Sequence, residues 1–125
     1  MLARSLHHAS FTVGDLAAAR RFYGDILGLS EIARPDLGVP GAWYQCGHAQ
    51  IHLIVAPAGV ATGTPPPSLT PVALHTALAI EDYDDALARL KMHGLDVLET
   101  SPSVGQMWIQ DPSGNVIELI AAPRS

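Results

Sequence analysis

The pattern of apolar and polar residues along the chain predicts the same series of elements twice. Apolar residues at helical spacing follow the first strand of each half. Each predicted helix begins after an aspartate that can cap it, Asp15 or Asp82, and ends at a glycine, Gly28 or Gly94. The order of elements is βαβββ in each half. Alternation with a period of two predicts strands near 6–13, 42–45, 50–55, 74–80, 106–110 and 116–121.

The two halves are also related in sequence. Residues 8–15 align with residues 75–82 at an offset of 67, and residues 51–57 align with residues 117–123 at an offset of 66. Two copies are too few for a solenoid, which needs roughly three or more repeats. We therefore expect one pseudo-symmetric domain built from two related modules.

A proline-rich stretch separates the modules. Residues 57–71 hold five of the ten prolines of the chain and no charged residue, which indicates a semi-rigid connector or a surface loop. The predicted organisation is a single domain over residues 1–125. Its parts are module 1 at about 1–57, a connector at 58–71 and module 2 at about 72–123.

Strand parity places four ionisable side chains at corresponding positions of the two modules. Successive side chains of a strand point to opposite faces, so each of four strands has one mostly bulky apolar face and a second face with one ionisable residue. These residues are His8 and His75 on the first strand of each module, and His52 and Glu118 on the fourth. The repeat relates His8 to His75 and His52 to Glu118.

These four side chains form a candidate metal site. A carboxylate inside Val-Ile-Glu-Leu-Ile is costly to bury unpaired, and a divalent cation compensates its charge. Three nitrogens and one oxygen suit Zn, Fe, Ni, Co or Mn. The alternative is scattered core histidines with Glu118 at a solvent-facing sheet edge. His7 is expected to point away from His8, and Cys46 to lie in a turn as an inert thiol.

Charge and composition restrict the class of partner. Twelve acidic residues against seven basic ones give a net charge of −5, and no Lys/Arg cluster stands out. This argues against a nucleic-acid or anionic membrane partner. The single cysteine excludes an intrachain disulfide, and no apolar run approaches the ~20 residues needed to span a bilayer. We expect a cytoplasmic protein.

Three segments, residues 6–16, 22–29 and 108–120, resemble the glyoxalase/bleomycin-resistance/dioxygenase group, the vicinal oxygen chelate superfamily. The resemblance implies an α+β fold in which two tandem βαβββ modules form a cupped mixed sheet with helices on its outer face. It also implies a divalent metal ion held by His8, His52, His75 and Glu118. Small members of the group commonly form homodimers, so a homodimer is expected here as well.

The resemblance further implies a metal-dependent enzyme whose small substrate chelates the metal through vicinal oxygens. The expected chemistry is of the isomerase, lyase or epimerase type, as in glyoxalase I. Glu118 would move a proton, and His52 would be a fourth ligand or a general base. Relatives similar to glyoxalase I usually carry Glu where this chain has His52. Two alternatives are a non-catalytic antibiotic-binding protein and an Fe(II) ring-cleaving dioxygenase.

Overall fold

A computed structural model of the chain describes residues 1–101 and 103–121, and it confirms the predicted α+β class with two tandem βαβββ modules. The last two residues of the predicted module 2, 122 and 123, lie outside the described residues. The strands are β1 (His8–Thr12), β2 (Ser30–Ile32), β3 (Gly41–Cys46), β4 (Ala49–Ile54), β5 (His75–Ile80), β6 (Leu98–Ser101), β7 (Gln106–Gln110) and β8 (Val116–Ala121). The helices are α1 (Leu16–Arg20), which continues as a π-helix (Arg21–Ile26), and α2 (Tyr83–Met92).

Each module has its own four-stranded mixed sheet, and the two sheets have the same topology. The strand orders are β1-β4-β3-β2 and β5-β8-β7-β6, with the first strand parallel to the fourth and the other pairs antiparallel. The registers also agree: His8 pairs with Gln50, two residues before His52, and His75 pairs with Val116, two residues before Glu118. The positions that the sequence repeat relates are therefore equivalent in the sheets.

The predicted helix starts and ends are confirmed. An Oδ1 atom of Asp15 accepts a hydrogen bond from the Ala18 amide at 3.0 Å, and that of Asp82 accepts one from the Asp85 amide at 2.9 Å. Such caps satisfy amides that have no partner inside the helix. Gly28 and Gly94, which follow the two helices, have φ angles of +77° and +76°, a conformation that other residues rarely adopt.

The π-helix at the end of α1 is a feature that the periodicity did not predict. The amide of Leu27 donates to the carbonyl of Phe22, five residues earlier, at 2.9 Å. Phe22 and the adjacent Tyr23 are both fully buried. Tyr23 lies near Phe11 of β1 and Tyr44 of β3, with ring centroids 5.9 and 6.3 Å apart. This helix therefore covers the apolar face of the first sheet and leaves the face with His8 and His52 on the other side.

The chain divides into two compact units, Met1–Gly63 and a second unit that begins at Thr64. This division falls inside the proline-rich connector. The predicted organisation as a single domain over 1–125 remains a prediction. None of the helices within the described ranges is long and apolar enough to cross a membrane.

Candidate metal-binding residues

In the second module, His75 of β5 and Glu118 of β8 face each other. The Nε2 atom of His75 lies 3.4 Å from Oε1 of Glu118. Glu118 is 6% exposed, and its neighbours in β8, Ile117 and Leu119, are buried as well. A carboxylate at this depth requires a compensating charge or several hydrogen-bond donors.

The hydrogen bond of the other ring nitrogen, Nδ1, determines whether Nε2, which faces the carboxylate, carries a proton. Nδ1 of His75 lies 2.7 Å from the carbonyl oxygen of Ala73. A carbonyl can only accept, so Nδ1 carries the proton and donates it. In the neutral imidazole, Nε2 then has a lone pair, which is directed at a carboxylate oxygen that also carries only lone pairs. Two acceptors in this arrangement need a cation between them, either a proton on Nε2 or a metal ion.

The distance fits the metal ion better than the proton. A charge-assisted N–H···O bond is about 2.7–2.9 Å long, which is shorter than the observed separation. Two ligand atoms bound about 2.0–2.2 Å from one tetrahedral ion lie about 3.4 Å apart. The hydrogen bond from Nδ1 to a backbone carbonyl is also the usual way in which a metal-binding histidine is oriented. His75 and Glu118 therefore fit a divalent metal ion by donor type, tautomer and separation.

A glutamine that the sequence analysis missed supports the carboxylate. Nε2 of Gln106, on β7, donates to Oε2 of Glu118 at 3.1 Å, which leaves Oε1 for His75. Trp108, also on β7, pairs directly with Glu118 and contacts the His75 ring edge to face, with centroids 4.6 Å apart. Gln106 precedes Trp108 by two residues, so strand parity puts both on the face of Glu118. Strand parity was therefore the sequence signal that could have identified Gln106.

In the first module, three aromatic rings are stacked on the equivalent face. The ring of His52 lies between Trp43, at a centroid distance of 4.1 Å, and His8, at 3.9 Å. Trp43 pairs with His52 across β3 and β4 as Trp108 pairs with Glu118 in the second module. The structure therefore brings His8 and His52 into contact, as strand parity predicts.

Hydrogen bonds in the stack use one nitrogen of each histidine. Nε2 of His52 donates to Oε1 of Gln50 at 2.8 Å, which leaves its lone pair on Nδ1. Nδ1 of His8 lies 2.8 Å from Nδ1 of His7, and one of these nitrogens donates to the other. Where His8 is the donor, its lone pair is on Nε2. The expectation that His7 points away from His8 is therefore wrong. His7 precedes the first residue of β1, so strand alternation does not govern its direction.

The stack favours neutral His52. Burial lowers the pKa of His52, and the nearby charges of His8, His7 and Arg34 lower it further. A neutral imidazole is the form that binds a metal or accepts a proton. Cys46 is the last residue of β3 rather than part of the turn that follows, and burial raises the pKa of its thiol. This agrees with an inert cysteine.

The four predicted residues thus occur as two pairs, His8 with His52 and His75 with Glu118. Within residues 1–101 and 103–121, no three His, Cys, Asp or Glu side chains are grouped closely enough to hold one ion. The binding of one ion by all four residues remains a prediction.

Comparison with known proteins agrees with the fold and the motifs. The family model of the Glyoxalase/Bleomycin resistance protein/Dioxygenase superfamily matches residues 5–119. The chain belongs to this superfamily. None of the curated proteins compared with the chain matches it significantly.

Several solved structures are similar over nearly the whole chain. A glyoxalase family protein from Bacillus anthracis is 24% identical over 97% of both chains, with a TM-score of 0.81. A lactoylglutathione lyase from Agrobacterium tumefaciens is 20% identical over 98% of this chain and 96% of its own, with a TM-score of 0.71. TnmS3, an antibiotic binding protein from Streptomyces, is 26% identical over 99% of both chains, with a TM-score of 0.71.

We predict that Gln106 stabilises the metal-free protein through Glu118. Gln106→Met removes the donor to a buried carboxylate oxygen and should lower the free energy of unfolding by about 1–3 kcal/mol. Gln110→Met is the matched control, because Gln110 lies on the same strand and its amide donates to the neutral carbonyl of Gly114 at 3.1 Å. Urea unfolding in chelator measures both variants. Equal losses in the two variants would contradict a particular role for Gln106.

Proposed function

We propose that the chain is a divalent-metal-dependent enzyme of this superfamily whose small substrate binds the metal through vicinal oxygens. The observation that carries the proposal is the lone pair of His75 Nε2, which faces Oε1 of buried Glu118 at 3.4 Å. Isomerase, lyase or epimerase chemistry is the proposed reaction type. We also propose that the protein acts in the cytoplasm.

The proposed ligands are His8, His52, His75 and Glu118, two from each module. Nε2 is the proposed ligand atom of His75 and, where His8 donates from Nδ1 to His7, also of His8. His52 has two possible roles. It binds the metal through Nδ1, or through Nε2 after it leaves Gln50, and otherwise it stays in the stack as a neutral base.

When bound, the metal ion would supply a positive charge that stabilises negative charge developing on the substrate oxygens. The protein residues would supply proton transfer and orientation. Oε2 of Glu118 remains hydrogen-bonded to Gln106 while Oε1 binds or releases a proton. The lowered pKa of His52 keeps its ring unprotonated at neutral pH, so it is able to accept a proton.

Antibiotic binding without catalysis is the second candidate. The specific observation in its favour is the stack of Trp43, His52 and His8, whose aromatic surface is suited to flat organic molecules. The similarity to TnmS3 over 99% of both chains supports it. It does not require the donor arrangement of His75 and Glu118, and for this reason we place it second.

We predict that Glu118→Gln lowers metal affinity at least tenfold, because losing a ligand should harm binding no less than the roughly 10–100-fold effect of changing a residue that supports one. The metal-free variant should melt at the wild-type temperature or above it. The amide oxygen still accepts from Gln106, and the amide nitrogen donates to the lone pair of His75 Nε2. Thermal melts with added Zn, Ni, Co or Mn and with chelator, together with elemental analysis of untagged protein, measure both effects.

Glu81→Gln is the matched control, because it removes the same charge from an exposed residue beside the α2 cap. It should leave metal binding unchanged. If chelator does not move the wild-type melting temperature and the Glu118 variant melts with the wild type in both conditions, Glu118 is not a ligand. The enzyme proposal would then lose its main support.

We further propose that the protein is a homodimer. Each module has a single four-stranded sheet and one helical segment, so its helix covers only one face of the sheet. Association with a second chain would cover more of it. Light scattering should give a dimer mass, and a monomer mass at every protein concentration would refute the proposal.

A further inference from the structure

His7 precedes β1, yet both its backbone and its side chain have defined partners. Its carbonyl oxygen accepts a hydrogen bond from the Gln50 amide at 3.0 Å, which fixes the backbone of this residue beside β4. Its Nδ1 atom lies 2.8 Å from Nδ1 of His8, and the two rings meet edge to face with centroids 5.1 Å apart. The side chain of His7 is therefore directed at the histidine that follows it.

The ring of His8 has two contacts, and they fix different properties of it. Stacking on His52, with centroids 3.9 Å apart and an angle of 16° between the rings, fixes the plane of the ring. A half-turn about the Cβ–Cγ bond keeps this plane but exchanges nitrogen and carbon positions, and stacking responds little to the exchange. The contact with His7 does respond, because it requires a nitrogen on the side that faces His7. This contact therefore selects one of the two ring orientations.

The second module shows what such a contact does. Nδ1 of His75 donates to the carbonyl oxygen of Ala73 at 2.7 Å, so the lone pair of His75 is on Nε2. The registers relate His8 to His75, so His7 corresponds to Leu74, whose side chain is 98% exposed. One module thus places a backbone carbonyl at the Nδ1 atom of its first-strand histidine, and the other places the ring of His7 there. Unlike the carbonyl, the ring can be removed by substitution.

We propose that His7 is a positioning residue that accepts the Nδ1 proton of His8, so that the lone pair of His8 is on Nε2 and available to a metal ion. In a neutral imidazole, the hydrogen bond of one nitrogen sets which nitrogen carries the proton. A partner of this kind orients the ring of a metal-binding histidine and fixes its tautomer. The inference takes His8 as a metal ligand, and in that respect it rests on the proposed function.

The first measurement is the position of the proton on His8 in the full chain, freed of metal with a chelator and then dialysed. Long-range proton–nitrogen NMR at pH 8 should place it on Nδ1 in the wild type. His7→Leu, which copies Leu74, should move a large part of the His8 population to the Nε2–H form, which neutral histidine side chains favour in water. His7→Asn should restore the wild-type proton position, because its Oδ1 atom can accept in place of Nδ1.

The second measurement is zinc affinity. His7→Leu should bind zinc about tenfold more weakly, at the lower end of the roughly 10–100-fold range for residues that orient a ligand, because the His7–His8 contact is exposed to solvent. His7→Asn should bind zinc about as tightly as the wild type. His48→Leu is the matched control, because it removes an exposed histidine of the same module from the turn between β3 and β4. It should change neither the His8 proton position nor zinc affinity.

Two results would overturn the proposal: a proton on Nε2 of His8 in the metal-free wild type, or a His7→Leu variant that keeps both the proton position and the zinc affinity of the wild type. A purely structural role of His7 would lower the melting temperature without moving the His8 proton. If the wild type binds no zinc, the proposed function fails. The proton position in the metal-free protein then decides the role of His7 by itself, so the two failures are distinguishable.

Discussion

Two hydrogen-bond acceptors face each other in the second module, one of them on a buried carboxylate, and the rest of the proposed site depends on their contact. The carbonyl oxygen of Ala73 holds the proton of His75 on Nδ1, so the lone pair on Nε2 is directed at Glu118. Without a cation, this contact would place a lone pair against a carboxylate inside an apolar sheet. Two side chains of β7 lie around this contact. The amide of Gln106 donates to Glu118, and the Trp108 ring meets the His75 ring edge to face.

Because the two sheets share one register, the modules have equivalent positions, and their chemistry differs through the residues at those positions. Each module places a histidine on its first strand, a tryptophan on its third and an ionisable residue on its fourth. In the second module the fourth-strand residue is a carboxylate with an internal donor. In the first module it is a neutral imidazole held between two rings.

Much of the fold follows from local rules that the sequence displays. Alternation located six strands, and the Asp15 and Asp82 caps and the following glycines located the helices. The repeat with strand parity put His8 and His75, and His52 and Glu118, at corresponding positions. The short strands β2 and β6 have three and four residues, too few for a clear alternation. The π-helix depends on packing against the sheet, which periodicity does not include.

The supporting residues were harder to predict than the candidate ligands. Gln106 and Gln50 act through side chains that reach a neighbour on the same face, and glutamines on strands are too common to attract notice. The direction of a side chain outside a regular element depends on tertiary packing, as His7 shows.

The protonation state of His75 is the most direct measurement of the central contact. Long-range proton–nitrogen NMR at pH 8 reports which ring nitrogen of each histidine carries a proton and which binds a metal. Without metal, His75 should carry its proton on Nδ1, and one equivalent of zinc should shift its Nε2 signal while His93 in the α2 cap stays unchanged. A metal-free His75 without a proton on Nδ1, or no shift of its Nε2 signal on addition of zinc, would contradict the central claim.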